Sequence, residues 1–416
     1  MGALRTQVDR QVAHWRMASQ RLGDLESLAA PNAWHGLERY MGLSIRRNLL
    51  GAIDRLQQRG EALIKALKAA VTREELLRIR DDLVGFRRQY LRTETTVDFY
   101  ADAVNTRTTP HIAALLRACD VLAVRSLEQM LKPMGKKIPP VLSYLDKGLG
   151  ASILKAGLRL WDGGTQNPAA MIKIARHNLF RPTSLIHEAG HQMAHILGWN
   201  EELAAALKKG LSDYPGALGR MWSGWASEIA ADAFAFVHTG YAAVAALHDV
   251  IAGDREYVFR YLDGDPHPVS YIRVLLGTQM CVGFFGAGEW DDLALSWKQS
   301  HPLVDAESEV RPMLQNSLTL LADIVSICLR MPMQAFGGRS LAAMIDPAWV
   351  SPQALFELES RGGRALYTST DWIWREPLRI TALTGLRAAE SPETAHQILD
   401  QQEAWMLRLG SMVETG

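Results

Sequence analysis

Residues 187–191 read His187-Glu188-Ala189-Gly190-His191, and that spacing points to one local conformation. In an α-helix each residue advances about 100°, so histidines four apart lie about 40° apart on one face and roughly 6 Å apart along the axis. Two imidazoles so placed can converge on one tetrahedral ion at Zn–N distances of about 2.0–2.1 Å. Glu188 sits beside the first imidazole but is rotated off that face, where a carboxylate can take a proton from an attacking water without binding the ion. HExxH on a helix is therefore read as a zinc site, with His187 and His191 as ligands and Glu188 as general base.

The flanking residues supply the frame such a helix needs. Ala170 to Leu179 has a short alternating apolar pattern that predicts a β-strand. Pro182 ends it, Thr183 or Ser184 is expected to cap a helix, and Gly198 to stop it, so the helix is expected from about 183 to 197. The edge of that strand is expected to be available to an extended peptide.

Two histidines do not complete a zinc site. His195 lies eight residues beyond His187, about 12 Å along the helix, too far for the same ion; a core or capping role is expected for it. Ala194 and Leu197 stand where a metzincin continuation would put Gly and His. The best third ligand is Glu228, in the run Ala226-Ser227-Glu228-Ile229-Ala230-Ala231-Asp232-Ala233-Phe234. Glu228 and Asp232 share one face of an otherwise almost wholly apolar helix. Carboxylates on a buried helix need a charge partner, and a metal supplies one. Asp232 is then placed to accept the outer N–H of a ligating histidine, fixing its tautomer and orientation. Asp213, Asp232 and His238 are the alternatives to Glu228.

HExxH followed by a helix carrying ExxxD resembles the gluzincin class of zinc metallopeptidases, which includes the thermolysin-like enzymes. The resemblance spans about residues 168 to 275, and the gap from His191 to Glu228 is longer than in thermolysin-like enzymes. It implies that Glu188 is the base, that His187, His191 and Glu228 bind zinc, and that Asp232 supports a histidine. Gluzincin-like enzymes often bring in a late His, Tyr or Arg to stabilise the developing oxyanion. In Asp263-Gly264-Asp265-Pro266-His267-Pro268 a rigid turn holds a histidine between prolines. His267 is the residue chosen for that role, with Tyr271 and Arg273 in reserve.

The rest of the chain reads as scaffold. Its 416 residues allow one large or two to three ordinary cores, and zero net charge gives no sign of a nucleic-acid or acidic-membrane partner. The N-terminus lacks the apolar core of a signal peptide. Apolar runs at 226–253 and 271–288 are interrupted by Glu228, Asp232, His238 or Arg273, which argues against membrane spans. Cys119, Cys281 and Cys328 are widely spaced in apolar surroundings, so buried thiols in a reducing, cytoplasmic setting are expected.

Residues 1–140 read as a helical bundle, with few breakers from Leu37 to Ala70 and a capping box at Thr72-Arg73-Glu74-Glu75 opening a helix to about Arg92. Lys132 to Pro140 is the expected boundary, followed by a catalytic core at 141–300 and helices at 301–416 packed on it. Within the core, Asp146 to Ser152 is expected to turn into a helix and lacks the GK[ST] ending of a phosphate loop. Trp161 to Pro168 is expected as a loop bordering the substrate cleft. The insertion from Trp199 to Trp225 carries Trp199, Trp222 and Trp225, which can wall a pocket or pack. Ser351-Pro352 and Ser391-Pro392 read as N-cap and N1 pairs.

The resulting expectation is a mainly α protein with a small β-sheet, holding one Zn2+ and hydrolysing peptide bonds in peptide or protein substrates. A non-peptidase amide or ester hydrolase would use the same groups. A non-enzyme alternative is a helical scaffold around a structural zinc, which would need a fourth protein ligand.

Overall fold

The structure is a computed structural model that describes residues 2–148, 150–160, 166–214 and 218–413. It is mainly α-helical with one three-stranded sheet. Contacts divide the chain into two compact units, Met1–Ala113 with Leu154–Ala170, and Ala114–Ile153 with Met171–Gly416. The Lys132–Pro140 junction falls inside the second unit.

The first unit is built on α1 (Gly2–Arg21), α2 (Pro31–Met41), α3 (Ile45–Ala69) and α4 (Arg73–Asn105). The stretch from Leu37 to Ala70 is broken once, at Gly42, whose φ of 62° closes α2 in the left-handed conformation glycine tolerates. Thr72 and Glu75 form the expected reciprocal cap. The helix they open runs past Arg92 to Asn105, because burial continues at helical spacing through Val97, Tyr100 and Val104. The Thr-rich segment after Arg92 disguises this. Thr93 and Thr96 are buried, and their hydroxyls donate to the carbonyls of Gln89 and Arg92, so helix and hydroxyls are satisfied together.

In the second unit, α5 (Pro110–Leu131) leads to β1 (Val141–Leu145), β2 (Ser152–Leu154) and β3 (Ala170–Ile174), paired in the order β1-β3-β2. The expected turn into a helix at Asp146 to Ser152 leads instead into β2, with Leu149 outside the described residues. Residues 161–165 of the expected cleft loop also lie outside them. β3 is shorter than the alternating pattern to Leu179, because Arg176–Asn178 form a 3-10 turn closed by the Asn178 N–H on the Ala175 carbonyl. Among the described residues it is the central strand, paired with β1 on one side and the shorter β2 on the other, and so is not the edge strand expected to take up an extended peptide.

From the turn after β3 the chain enters α6 (Thr183–Leu197), which ends at Gly198 with φ 67°. Its N-cap is Pro182, and neither the Thr183 nor the Ser184 hydroxyl caps it; both hydroxyls are buried without a partner. Next come α7 (Trp199–Gly210), α8 (Leu218–Gly224), α9 (Ala226–Thr239), α10 (Tyr241–Ile251), α11 (Arg255–Val258) and α12 (Ser270–Phe285). α7 and α8 pack on each other and fill the long gap between the histidines and Glu228.

In α9 every residue except Ser227 and Asp232 is buried, the mark of a core helix. Among the described residues, no two elements pack together more extensively than α6 and α9. Gly190 permits this: a Cβ there would lie 2.9 Å from the Ala231 Cα and 3.0 Å from the Phe234 Cβ. The helix Pro377–Glu390 packs against α9 and α10, and Ser351 caps Pro352–Gly362 by accepting the Ala354 N–H. Ser391-Pro392 opens a 3-10 turn, Pro392–Thr394, ahead of the last helix. No single helix among the described residues is long and apolar enough to cross a membrane. All three cysteines are buried thiols.

Candidate metal centre

Helical spacing puts His187 and His191 one turn apart on α6, their rings perpendicular and 4.8 Å apart between centroids. The glycine-mediated contact with α9 brings Glu228 between them. His187 Nε2 lies 3.5 Å from Glu228 Oε2, and His191 Nε2 lies 3.2 Å from Glu228 Oε1. One donor atom from each of the three residues falls within 4.8 Å of the others, a group that can hold a metal ion.

The outer nitrogens are engaged elsewhere. His187 Nδ1 is 2.8 Å from Asp232 Oδ1, and His191 Nδ1 is 3.3 Å from Ser227 Oγ. Both imidazoles are therefore held with Nε2 turned inward, the arrangement that second-sphere partners impose on ligating histidines. Ser227 and Asp232 are the two incompletely buried residues of α9, and both face α6.

A buried cation completes the cluster. Arg273, on α12, is 7% exposed; its Nε donates to Asp232 Oδ2 at 2.7 Å, and its Nη2 donates to Asp232 Oδ1 at 2.9 Å and Glu228 Oε2 at 3.1 Å. Burial opposes ionisation of Glu228, but hydrogen bonds from His187 and His191 and the charge of Arg273 outweigh it, holding the carboxyl well below its usual range. Asp232 is likewise lowered: burial raises it, and Arg273 and His187 overcome that. Burial would lower His187, yet the carboxylates of Asp232 and Glu228 lift it to about 10.

Glu188 stands apart. It is 6% exposed and has no hydrogen bond or ion pair among the described residues. Burial raises its pKa, against the opposing pull of His187 and His191. Its place beside the donor cluster suits a group that takes and returns a proton.

His267 reaches the same cluster from the Asp263–Pro268 turn, with Nε2 3.7 Å from Glu228 Oε1. Its side chain is 57% exposed, and Asp265 Oδ1 holds it twice, through Nδ1 at 2.8 Å and through its backbone N–H at 2.9 Å. The reserve residues sit otherwise. Tyr271 is buried against Phe259, and Arg273 grips carboxylates instead of facing a substrate.

The alternatives to Glu228 do not join Nε2 of both histidines. Asp232 binds the outer nitrogen of His187, and Asp213 is exposed in a turn, beside the Ser212 hydroxyl. His195 is exposed in the last turn of α6, not in the core. Trp199, Trp222 and Trp225 are buried packing residues, with Trp222 donating to Ser317. Sequence reasoning missed the parts played by three residues: Ser227 on the outer nitrogen of His191, Gly190 at the helix contact and Arg273 on the carboxylates. Gly190 carried a signal, since a mid-helix glycine costs about 1 kcal/mol against alanine and needs a packing reason. Arg273 carried another, as the lone cation in an apolar run that had to find carboxylates.

His238 is fully buried, with Nδ1 2.8 Å from the Phe234 carbonyl. Burial lowers its pKa to about 4, with the carbonyl opposing. The unfolded chain takes up this proton near pH 6.5, so the stability that neutral His238 contributes is complete above that value. It is lost as pH falls from about 6.5 towards about 4, on the order of 3 kcal/mol in all. His238→Gln is expected to flatten the dependence of Tm on pH across this window; an unchanged slope would show that other groups govern acid sensitivity.

No family model, no curated protein and no solved structure matches this chain.

Proposed function

We propose that this chain is a zinc-dependent hydrolase of the gluzincin kind, acting on peptide bonds. The carrying observation is the convergence of His187 Nε2, His191 Nε2 and a Glu228 oxygen, with the buried Glu188 next to His187 in the chain. Two imidazoles and one carboxylate are a donor set zinc takes in catalytic sites, where a fourth position stays open. The Asp232 and Ser227 contacts add the outer support such ligands need.

When bound, the ion supplies the Lewis acidity that lowers the pKa of water towards about 7. Glu188 takes a proton from water as the oxygen attacks the carbonyl carbon, and returns it to the departing amine. Its raised pKa brings it closer to neutrality, where such a group accepts and donates readily. His267, aimed by Asp265, donates to the oxyanion of the tetrahedral intermediate. The zero net charge fits a peptide or protein substrate better than nucleic acid. Three buried thiols fit a reducing compartment, and we place the protein in the cytoplasm.

A second reading, hydrolysis of a small amide or ester, draws support from the interior position of β3, which denies a peptide the edge expected there. A scaffold role is less well supported, because the donor group among the described residues contains three residues and a structural zinc takes four. A peptide-library assay separates these. Zinc-loaded wild type should cleave, chelation should stop it, and added zinc should restore it. A zinc-loaded protein that cleaves no peptide but hydrolyses small amides or esters would replace the peptidase reading with the second one.

A further inference from the structure

Glu228 offers its two oxygens to different neighbours. Oε1 faces His191 Nε2 at 3.2 Å and His267 Nε2 at 3.7 Å, whereas Oε2, 3.5 Å from His187 Nε2, is the oxygen that accepts from Arg273 Nη2, at 3.1 Å. We infer that Arg273 is a positioning residue which, by holding Oε2, leaves Oε1 as the oxygen Glu228 presents to the metal and so keeps one position open for water. This rests on the zinc reading above.

The clamp is built to stay in place. Two of the three guanidinium hydrogen bonds form a fork on Asp232, which fixes the guanidinium plane and directs Nη2 at Oε2. The side chain is 7% exposed and cannot swing into solvent. A guanidinium also remains charged at every working pH. Without it, Glu228 can turn both oxygens to the ion. Two oxygens and two imidazoles would then fill four positions, which is how structural sites are closed.

The test is azide binding to the cobalt-substituted protein, read from the visible d–d absorption of wild type and of Arg273→Lys. Lysine keeps the charge beside Asp232 but lacks the fork that reaches Glu228. Wild type should take up cobalt and shift its spectrum with azide. Arg273→Lys should hold the same amount of cobalt and bind azide about tenfold or more weakly. Equal azide affinity in the two proteins would overturn the clamp while leaving the metal site standing. A wild type that takes up neither cobalt nor zinc would overturn both.

If Arg273→Lys does not fold, the infrared difference spectrum of wild type on zinc loading decides instead. A carboxylate bound through one oxygen has a wide separation between its antisymmetric and symmetric stretches. A narrow separation, from binding through both oxygens, would overturn the inference.

Discussion

Glu188→Gln is expected to leave zinc content unchanged and to lower peptide hydrolysis by about 10²–10⁴-fold, the range over which a positioned general base contributes. The substitution keeps the size and shape of the side chain and removes only its ability to take a proton. Glu188 has no hydrogen bond or ion pair among the described residues, so the substitution breaks no direct contact and removes only the longer-range attraction of His187, His191 and Arg273. Because burial is the largest influence on its carboxylate and disfavours the charge, removing that charge should hold Tm steady or raise it. Loss of turnover without loss of stability distinguishes a base from a packing residue. A glutamine variant that cleaves like wild type would remove Glu188 from the chemistry.

Gly190→Ala should act by a different route. In an ordinary helix, alanine in place of glycine stabilises by about 1 kcal/mol. Here the new methyl would meet the Ala231 Cα at 2.9 Å and the Phe234 Cβ at 3.0 Å. The first is backbone, so the strain can be relieved only by moving α6 and α9 apart. Overpacking of this kind costs about 1–3 kcal/mol, and it also draws Glu228 and Asp232 away from the histidines. Lower Tm and weaker zinc binding are expected together. Gly36→Ala, in α2 where a Cβ meets nothing within 4 Å, is the control and should be neutral or stabilising. Equal Tm and equal zinc affinity for Gly190→Ala and wild type would show that the α6–α9 approach does not depend on this glycine.

Much of the site was legible because it is local. Pro182 and Gly198 bracket α6 within the expected bounds, since helix ends depend on residues close in sequence. The pairing of Glu228 with Asp232 was visible as two carboxylates on one face of an apolar helix. A supporting contact from Asp232 to one of the histidines was expected; that it falls on His187 is set by the packing of α9 on α6.

What the sequence hid is set by contacts between distant segments. The interior position of β3 depends on which strands flank it, and its apolar pattern suits an edge or a centre equally well. Arg273 looked like a candidate for the oxyanion because its carboxylate partners lie 41 and 45 residues away. The extension of α4 was masked by threonines, whose low helix propensity is offset when their hydroxyls bond the preceding turn.

Zinc titration of metal-stripped wild type beside His191→Ala and Glu228→Ala tests the account most directly. About one zinc per chain is expected in wild type, with binding lost or strongly weakened in both variants, because each removes one of three protein donors. A folded wild type that binds no zinc, or variants that bind it as tightly as wild type, would contradict the account.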